Sequence, residues 1–189
     1  MRYFICSTGL VMAAMVAGPT LAAGHPEVDD WNNFCLSTRG DPTRALAKAE
    51  ALGWKPQANF APSPEQFEFE QSRQNNDGPD RHNLLVLRHK PVLPDGSGLH
   101  LVQCLAGYGN NADDPVPAVT ALLGFKPNTF DGKVAEWVLQ DVDGKLVQLP
   151  NDDTARADKA FADHSAIMVH ATVEDGVAMV SYEAPKPSR

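Results

Sequence analysis

The feature that most constrains the fold is a helix-capping pattern that occurs twice. It appears first at residues 41–54 (DPTRALAKAEALGW) and again at residues 114–125 (DPVPAVTALLGF). In each copy an aspartate can cap the helix, a proline fits the first turn, and a glycine can adopt the left-handed conformation that ends a helix. We therefore expect two short capped helices, each with one apolar side to bury.

The repeat has two explanations that the sequence leaves open. Each capped helix is approached from a cysteine, and β-hairpin patterns follow both copies, as an internal helix-plus-hairpin duplication would require. However, helices that begin with Asp-Pro and end with Gly-aromatic also arise independently, because capping favours these residues. The two halves share a plan more than a sequence.

Residues 1–23 have the three-part pattern of a secretory signal peptide. Arg2 precedes an uncharged apolar run, and small residues lead to a predicted cleavage site near Ala23. Gly18 and Pro19 interrupt the apolar run before it reaches the roughly 20 residues that a membrane-spanning helix needs. We therefore predict a cleaved leader and a periplasmic or secreted protein, with no membrane span in the mature chain.

The cysteine count predicts one disulfide bond. The chain has three cysteines, and removal of the leader, which contains Cys6, leaves Cys35 and Cys104. An even number of cysteines in an exported chain indicates a bridge, and two cysteines allow only one intramolecular pairing. A pair of buried free thiols is the alternative.

The charge balance argues against nucleic acid as a partner. The chain carries 24 acidic and 16 basic residues, with a formal net charge of -8 at pH 7. Such a surface repels phosphate backbones, and no local cluster of lysine and arginine offsets the repulsion.

The rest of the chain predicts an α+β fold. Alternating apolar residues and turn signals predict strands at 83–89, 98–105, 133–140, 145–149, 165–173 and 177–183, and a third helix at 154–163. We expect a single domain over residues 24–184, in which an antiparallel sheet of about six strands has two or three short capped helices packed on one face.

Two segments have little pattern of regular structure. Residues 55–82 are rich in proline, asparagine and glycine, and we expect a long surface excursion with at most a short strand or helical turn. Residues 185–189 (PKPSR) are expected to form a disordered tail.

Histidines on or beside the predicted strands are the candidate metal ligands. His164, Met168 and His170 share one strand face by parity, and His100 lies on another strand. Imidazole and thioether groups can bind copper or zinc. Yet no pair has the spacing of a familiar site, and no cysteine or histidine cluster completes a set of four ligands. Scattered edge and surface histidines are therefore the favoured interpretation.

No catalytic residue and no cofactor is predicted. The chain lacks a Gly-x-Ser-x-Gly nucleophile motif and a glycine-rich phosphate loop. The stretch at 141–144 (DVDG) lacks the remaining ligands of a calcium loop, and it is better explained as a hairpin turn.

Export, a disulfide bond and modest size favour a small binding or interaction module that recognises a protein, peptide or envelope component. The alternative is a small metal-dependent hydrolase or a metal-binding protein that uses the strand histidines.

Overall fold

The computed structural model describes residues 24–58, 60–75, 81–90, 99–109 and 112–187, so the predicted signal peptide lies outside the described residues. The helices are α1 (Pro26–Trp31), α2 (Pro42–Ala51), α3 (Val116–Leu123) and α4 (Thr154–Ala162), and a π-helical turn (Asn32–Leu36) continues α1. The strands are β1 (Lys55–Pro56), β2 (Phe67–Gln74), β3 (His82–His89), β4 (Leu99–Gly109), β5 (Thr129–Phe130), β6 (Val134–Val142), β7 (Lys145–Gln148), β8 (Ala166–Glu174) and β9 (Val177–Pro187).

The strands form one antiparallel sheet, as expected for an α+β fold. Their order is β1-β2-β3-β4-β9-β8-β6-β5, and β7 pairs with the part of β6 that β5 leaves free. The described residues contribute nine strands to the sheet, more than the six expected. The central pair is β4 with β9, which joins the β3–β4 hairpin to the β8–β9 hairpin and makes the sheet continuous.

One face of the sheet, here called the helix-covered face, carries the main core. Its central row runs across five strands through Val86, Cys104, Tyr182, Val169 and Trp137, which are directly opposite one another in register. All five side chains are buried, and α1, α2 and α3 contribute apolar residues to the same cluster. Side chains alternate between the two faces along each strand. Every second residue of these strands therefore points to this core, and the residues between them point to the opposite face.

The opposite face, here called the open face, has only α4 packed on it among the described helices. Its central row is Leu85, Leu105, Ser181, His170 and Glu136. At one end, α4 forms a separate small cluster that consists of Ala160, Ala166 and Leu149 with Val138 packed against it. Three helices, α1, α2 and α3, thus pack on one face, in line with the two or three expected, and α4 packs on the other. Its apolar side faces the even-numbered positions of β6 and β8, whereas the main core uses the odd-numbered ones.

The capping predicted for the first motif copy occurs in α2. The Asp41 carboxylate accepts a hydrogen bond from the Arg44 amide over 2.9 Å, and Gly53 has a φ of +86°. The Trp54 amide then donates to the Ala49 carbonyl over 3.1 Å, and the indole is buried. These bonds satisfy backbone groups at both helix ends that would otherwise lack intrahelical partners.

The second copy, α3, repeats the end of the motif but not its start. Pro115 is the N-cap residue, so the helix begins later than the predicted Asp114 cap implies, and the Asp114 carboxylate accepts from the Val116 amide over 3.0 Å. Gly124 ends the helix with a φ of +76°. The Phe125 carbonyl, just beyond it, accepts a hydrogen bond from the buried Trp137 indole over 2.9 Å.

The structure confirms the predicted disulfide bond. It joins Cys35 in the π-helical turn to Cys104 in β4, with a Cα–Cα distance of 5.4 Å and a sequence separation of 69. Both cysteines are fully buried. The bridge therefore fixes the segment that leads into α2 against a central strand of the sheet.

Two segments expected to lack regular structure contribute to the sheet. The proposed excursion at 55–82 contains β1 and the eight-residue β2, which pairs with β3 from Gln74 opposite Asn83 to Phe67 opposite His89. Only the short β1 lies beyond β2, so β2 is close to the sheet edge and has a polar composition. Its sequence therefore lacked the apolar pattern by which the other strands were predicted. Likewise, β9 continues to Pro187, into the expected disordered tail, since β4 supplies strand partners there.

Within the described ranges, no helix is long and apolar enough to cross a bilayer.

Candidate functional site

A cleft of about 410 Å³, here called the α2 cleft, opens beside the start of α2. The antiparallel pairing brings the beginning of β2, the end of β3, the beginning of β4 and the end of β9 together at this point. The cleft is lined by Asp41, Pro42, Glu68, Arg88, His100, Val102 and Lys186.

Strand register sets which side chains reach the cleft. Arg88 lies opposite Val102, and His100 lies opposite Lys186 in the neighbouring strand. All four have the parity of the helix-covered face, whose buried residues include Val86 and Cys104 on the same strands. The charged residues at the strand ends are therefore directed to the same side as the core, at the margin of the helix layer.

The irregular start of β2 supplies Glu68. The pairing of β2 with β3 shifts register between Phe67 and Phe69, which is the position of a β-bulge at Glu68. A bulge changes the direction of a side chain, and here the Glu68 carboxylate lies 3.2 Å from Nδ1 of His100. The same Nδ1 lies 3.2 Å from the His89 carbonyl oxygen, and His100 is 8% exposed. Because Nδ1 faces two acceptors, it carries the proton, and the ring orientation is fixed.

Both acids in the cleft have a bonding partner, whereas neither cation has one among the described residues. Asp41 caps α2, and Glu68 contacts His100. Arg88 and Lys186 are half-buried, and no carboxylate of the described residues lies within ion-pair distance of either. The cleft therefore presents two cations that pair with no carboxylate of the described residues, although Asp41 and Glu68 balance them in formal charge.

A second polar cluster lies on the open face, around His170. Nε2 of His170 lies 3.0 Å from Glu136, and Nδ1 lies 3.5 Å from Glu183. The Ser181 hydroxyl is 3.4 Å from Nδ1, and the Gln103 amide donates to Glu183 over 2.6 Å. The hydrogen bond with Glu183 raises the pKa of His170, a second one with Glu136 adds to this, and burial opposes both.

This arrangement does not activate Ser181 as a nucleophile. A general base needs an unprotonated nitrogen beside the hydroxyl. Here each ring nitrogen of His170 faces a carboxylate, so the imidazolium form is favoured and has no lone pair to accept a proton from Ser181. The cluster is an ion pair network that occupies the middle of the open face.

We predict that His170 makes stability depend on pH. Its folded-state pKa is raised, so the stabilisation is complete below the unfolded-state pKa and is lost as the pH rises through the folded-state pKa. Urea unfolding should show His170→Gln to be less stable than wild type by about 1 kcal/mol at pH 5.5, with a smaller difference at pH 9. Equal differences at both pH values would contradict this account, and Glu183→Gln should weaken the pH dependence.

The histidines nominated from the sequence do not converge. His100 lies on the helix-covered face, whereas Met168 and His170 are neighbours on the open face. His164 precedes β8 in a turn, with a φ of +58°, so strand parity does not place it with the other two. The described ranges hold no group of three or more His, Cys, Asp or Glu residues arranged to bind a metal ion.

Four histidines instead contact carboxylates. These pairs are His25–Glu27, His82–Asp30, His100–Glu68 and His170–Glu136. Such pairing accounts for their positions on or beside the secondary structure elements without a metal.

Sequence reasoning missed Glu68, Arg88 and Lys186. They come from three different strands, and the first and last lie in segments expected to be irregular. The sequence did contain one signal for this site. Arg88 is a basic residue at the end of an apolar strand, and it has the same parity as the buried Leu84 and Val86.

No protein-family model, curated protein or solved structure matches this chain. The geometry of the cleft is therefore the basis for a functional proposal.

Proposed function

We propose that this protein is an exported, disulfide-bonded binding module whose ligand site is the α2 cleft. The observation that carries the proposal is the convergence of polar and charged side chains from four strands and a helix start on one cavity. Asp41, Arg88 and Lys186 are half-buried there, His100 is buried, and Glu68 is exposed. Half-burying a charge costs free energy when no partner compensates for it. Charged groups that are held in a cavity without such compensation are typical of a site that is completed by a ligand.

The size of the cleft fits a small molecule or one group of a larger partner. Its volume of about 410 Å³ lies within the usual range of small-molecule sites. A peptide or an envelope component could present a side chain, a terminus or a headgroup of this size. The described residues that line the cleft include no hydroxyl or thiol nucleophile, which favours binding over acyl transfer.

Export is supported by two features of the chain. Residues 1–23 have the signal-peptide pattern, and the Cys35–Cys104 bridge is of the kind that persists in oxidising compartments. We therefore propose that the protein acts in the periplasm or outside the cell. The alternative of a histidine-based metal enzyme has less support, because His100 and His170 lie on opposite faces of the sheet.

Amide chemical-shift mapping tests this proposal. The ¹⁵N-labelled protein is titrated separately with succinate, glucose and putrescine, which are anionic, neutral and cationic probes. We expect at least one probe to shift a contiguous set of amides around Glu68, Arg88, His100 and Lys186. Shifts that concentrate around His170 on the open face, or no shift with any probe at millimolar concentration, would contradict the proposal.

A further inference from the structure

We infer that the α2 cleft binds an oxyanion, a carboxylate or phosphate group, between Arg88 and Lys186. This inference rests on the proposed function, and it adds the chemical class of the ligand. Two features support it: the charged groups of the cleft, and the bonding partners of the other half-buried lysine and arginine residues.

Half-buried cations are few in the described part of the chain, and most of them have partners. Five lysine or arginine residues are half-buried there: Arg39, Arg73, Arg88, Arg156 and Lys186. Three of the five have bonding partners: Arg39 pairs with Asp141, Arg73 pairs with Glu50, and Arg156 contacts the Gln140 side chain. Neither of the remaining two has an ion-pair or hydrogen-bond partner among the described residues, and both line the α2 cleft.

The two acids of the cleft balance the two cations in formal charge, but each acid is held by another partner, and neither pairs with Arg88 or Lys186. The Glu68 carboxylate lies 3.2 Å from Nδ1 of His100. The Asp41 carboxylate accepts from an amide of the helix that it caps, over 2.9 Å. An incoming oxyanion can therefore contact both cations without displacing an ion pair between described residues.

The chemistry of the two cations selects an oxyanion. A guanidinium group offers paired N–H donors that match the oxygens of a carboxylate or phosphate, and an ammonium group adds a compact positive charge. In a chain with a formal net charge of -8, the remainder of the surface offers an anion little long-range attraction. Binding should therefore depend on these two side chains and not on the general surface.

Isothermal titration calorimetry with phosphate and with succinate, at low ionic strength, tests the inference. Arg88→Gln and Lys186→Gln should each weaken binding about tenfold or more, since hydrogen bonds to charged groups contribute at least that factor. The matched control is Lys145→Gln, which removes an exposed lysine at the start of β7 and should leave the affinity within about twofold of wild type. Arg88→Lys keeps the charge and should lose less affinity than Arg88→Gln.

The outcomes separate this inference from the proposed function. Equal affinity of wild type, Arg88→Gln and Lys186→Gln for both anions would overturn the inference. If glucose or putrescine shifts the cleft amides while neither anion binds, the cleft is a ligand site but the oxyanion assignment is wrong. If no probe shifts the cleft amides, the proposed function fails as well. Tighter binding of phosphate or of succinate supports the inference either way and distinguishes a phosphate ligand from a carboxylate one.

Discussion

Replacing Cys35 and Cys104 together by alanine is expected to lower the free energy of unfolding by about 4 kcal/mol. The bridge closes a loop with a sequence separation of 69, and its removal restores the conformational freedom of that loop in the unfolded chain. Guanidinium unfolding of the oxidised protein, the reduced protein and the double variant measures the effect. Reduction and substitution should produce similar losses.

The bridge should also matter for the site. The π-helical turn that carries Cys35 is joined by the four residues 37–40 to Asp41 and Pro42, which line the α2 cleft. We therefore expect the double variant to bind succinate more weakly than the oxidised wild type. A loss of stability below about 1 kcal/mol would mean that packing alone holds this segment against β4.

Gly40→Ala is expected to destabilise the protein by about 3 kcal/mol. Gly40 has a φ of +66°, a conformation that disfavours a side chain. An added Cβ would lie 2.5 Å from Cε1 of Tyr182, whose ring is 1% exposed and packed in the main core. Either the loop before α2 or the ring must move, and guanidinium unfolding measures the cost.

Gly53→Ala is the matched control for this substitution. Gly53 also has a positive φ, +86°, but an added Cβ would have no atom within 4 Å. It should therefore cost only about 1 kcal/mol, which is the backbone contribution. Similar losses for the two variants would show that contact with Tyr182 does not constrain Gly40.

Local features of the fold could be predicted because nearby residues determine them. The Asp41 cap, the Gly53 termination and the hairpin turns all depend on residues within a few positions of one another. The disulfide bond was also predictable, because the chain outside the predicted signal peptide has only two cysteines to pair. These features follow from backbone chemistry and counting.

The long-range arrangement could not be predicted in the same way. The pairing of β4 with β9 joins residues about 80 positions apart, such as Gln103 and Glu183, and no local pattern specifies it. The sequence of β2 is polar because it lies near the sheet edge, so its strand pattern is weak. The position of α4 on the open face depends on which face of the sheet the segment between β7 and β8 crosses.

The α2 cleft illustrates the same limit at the level of function. Arg88 has the appearance of an ordinary strand-end residue, and Lys186 lies in what reads as a tail. Their common position depends on the order β3-β4-β9, which places both at one end of the sheet. Their half-buried state, which makes them informative, is a property of the assembled sheet and not of the residues' own sequence neighbourhoods.

The most direct test of the account is the affinity of the double variant Arg88→Gln/Lys186→Gln for succinate and phosphate. The two cations act on one ligand, so removal of both should weaken binding about a hundredfold or more relative to wild type. The fold should be unchanged, as judged by guanidinium unfolding. An affinity equal to that of wild type, in a variant of unchanged stability, would contradict the claim that the α2 cleft is an oxyanion site.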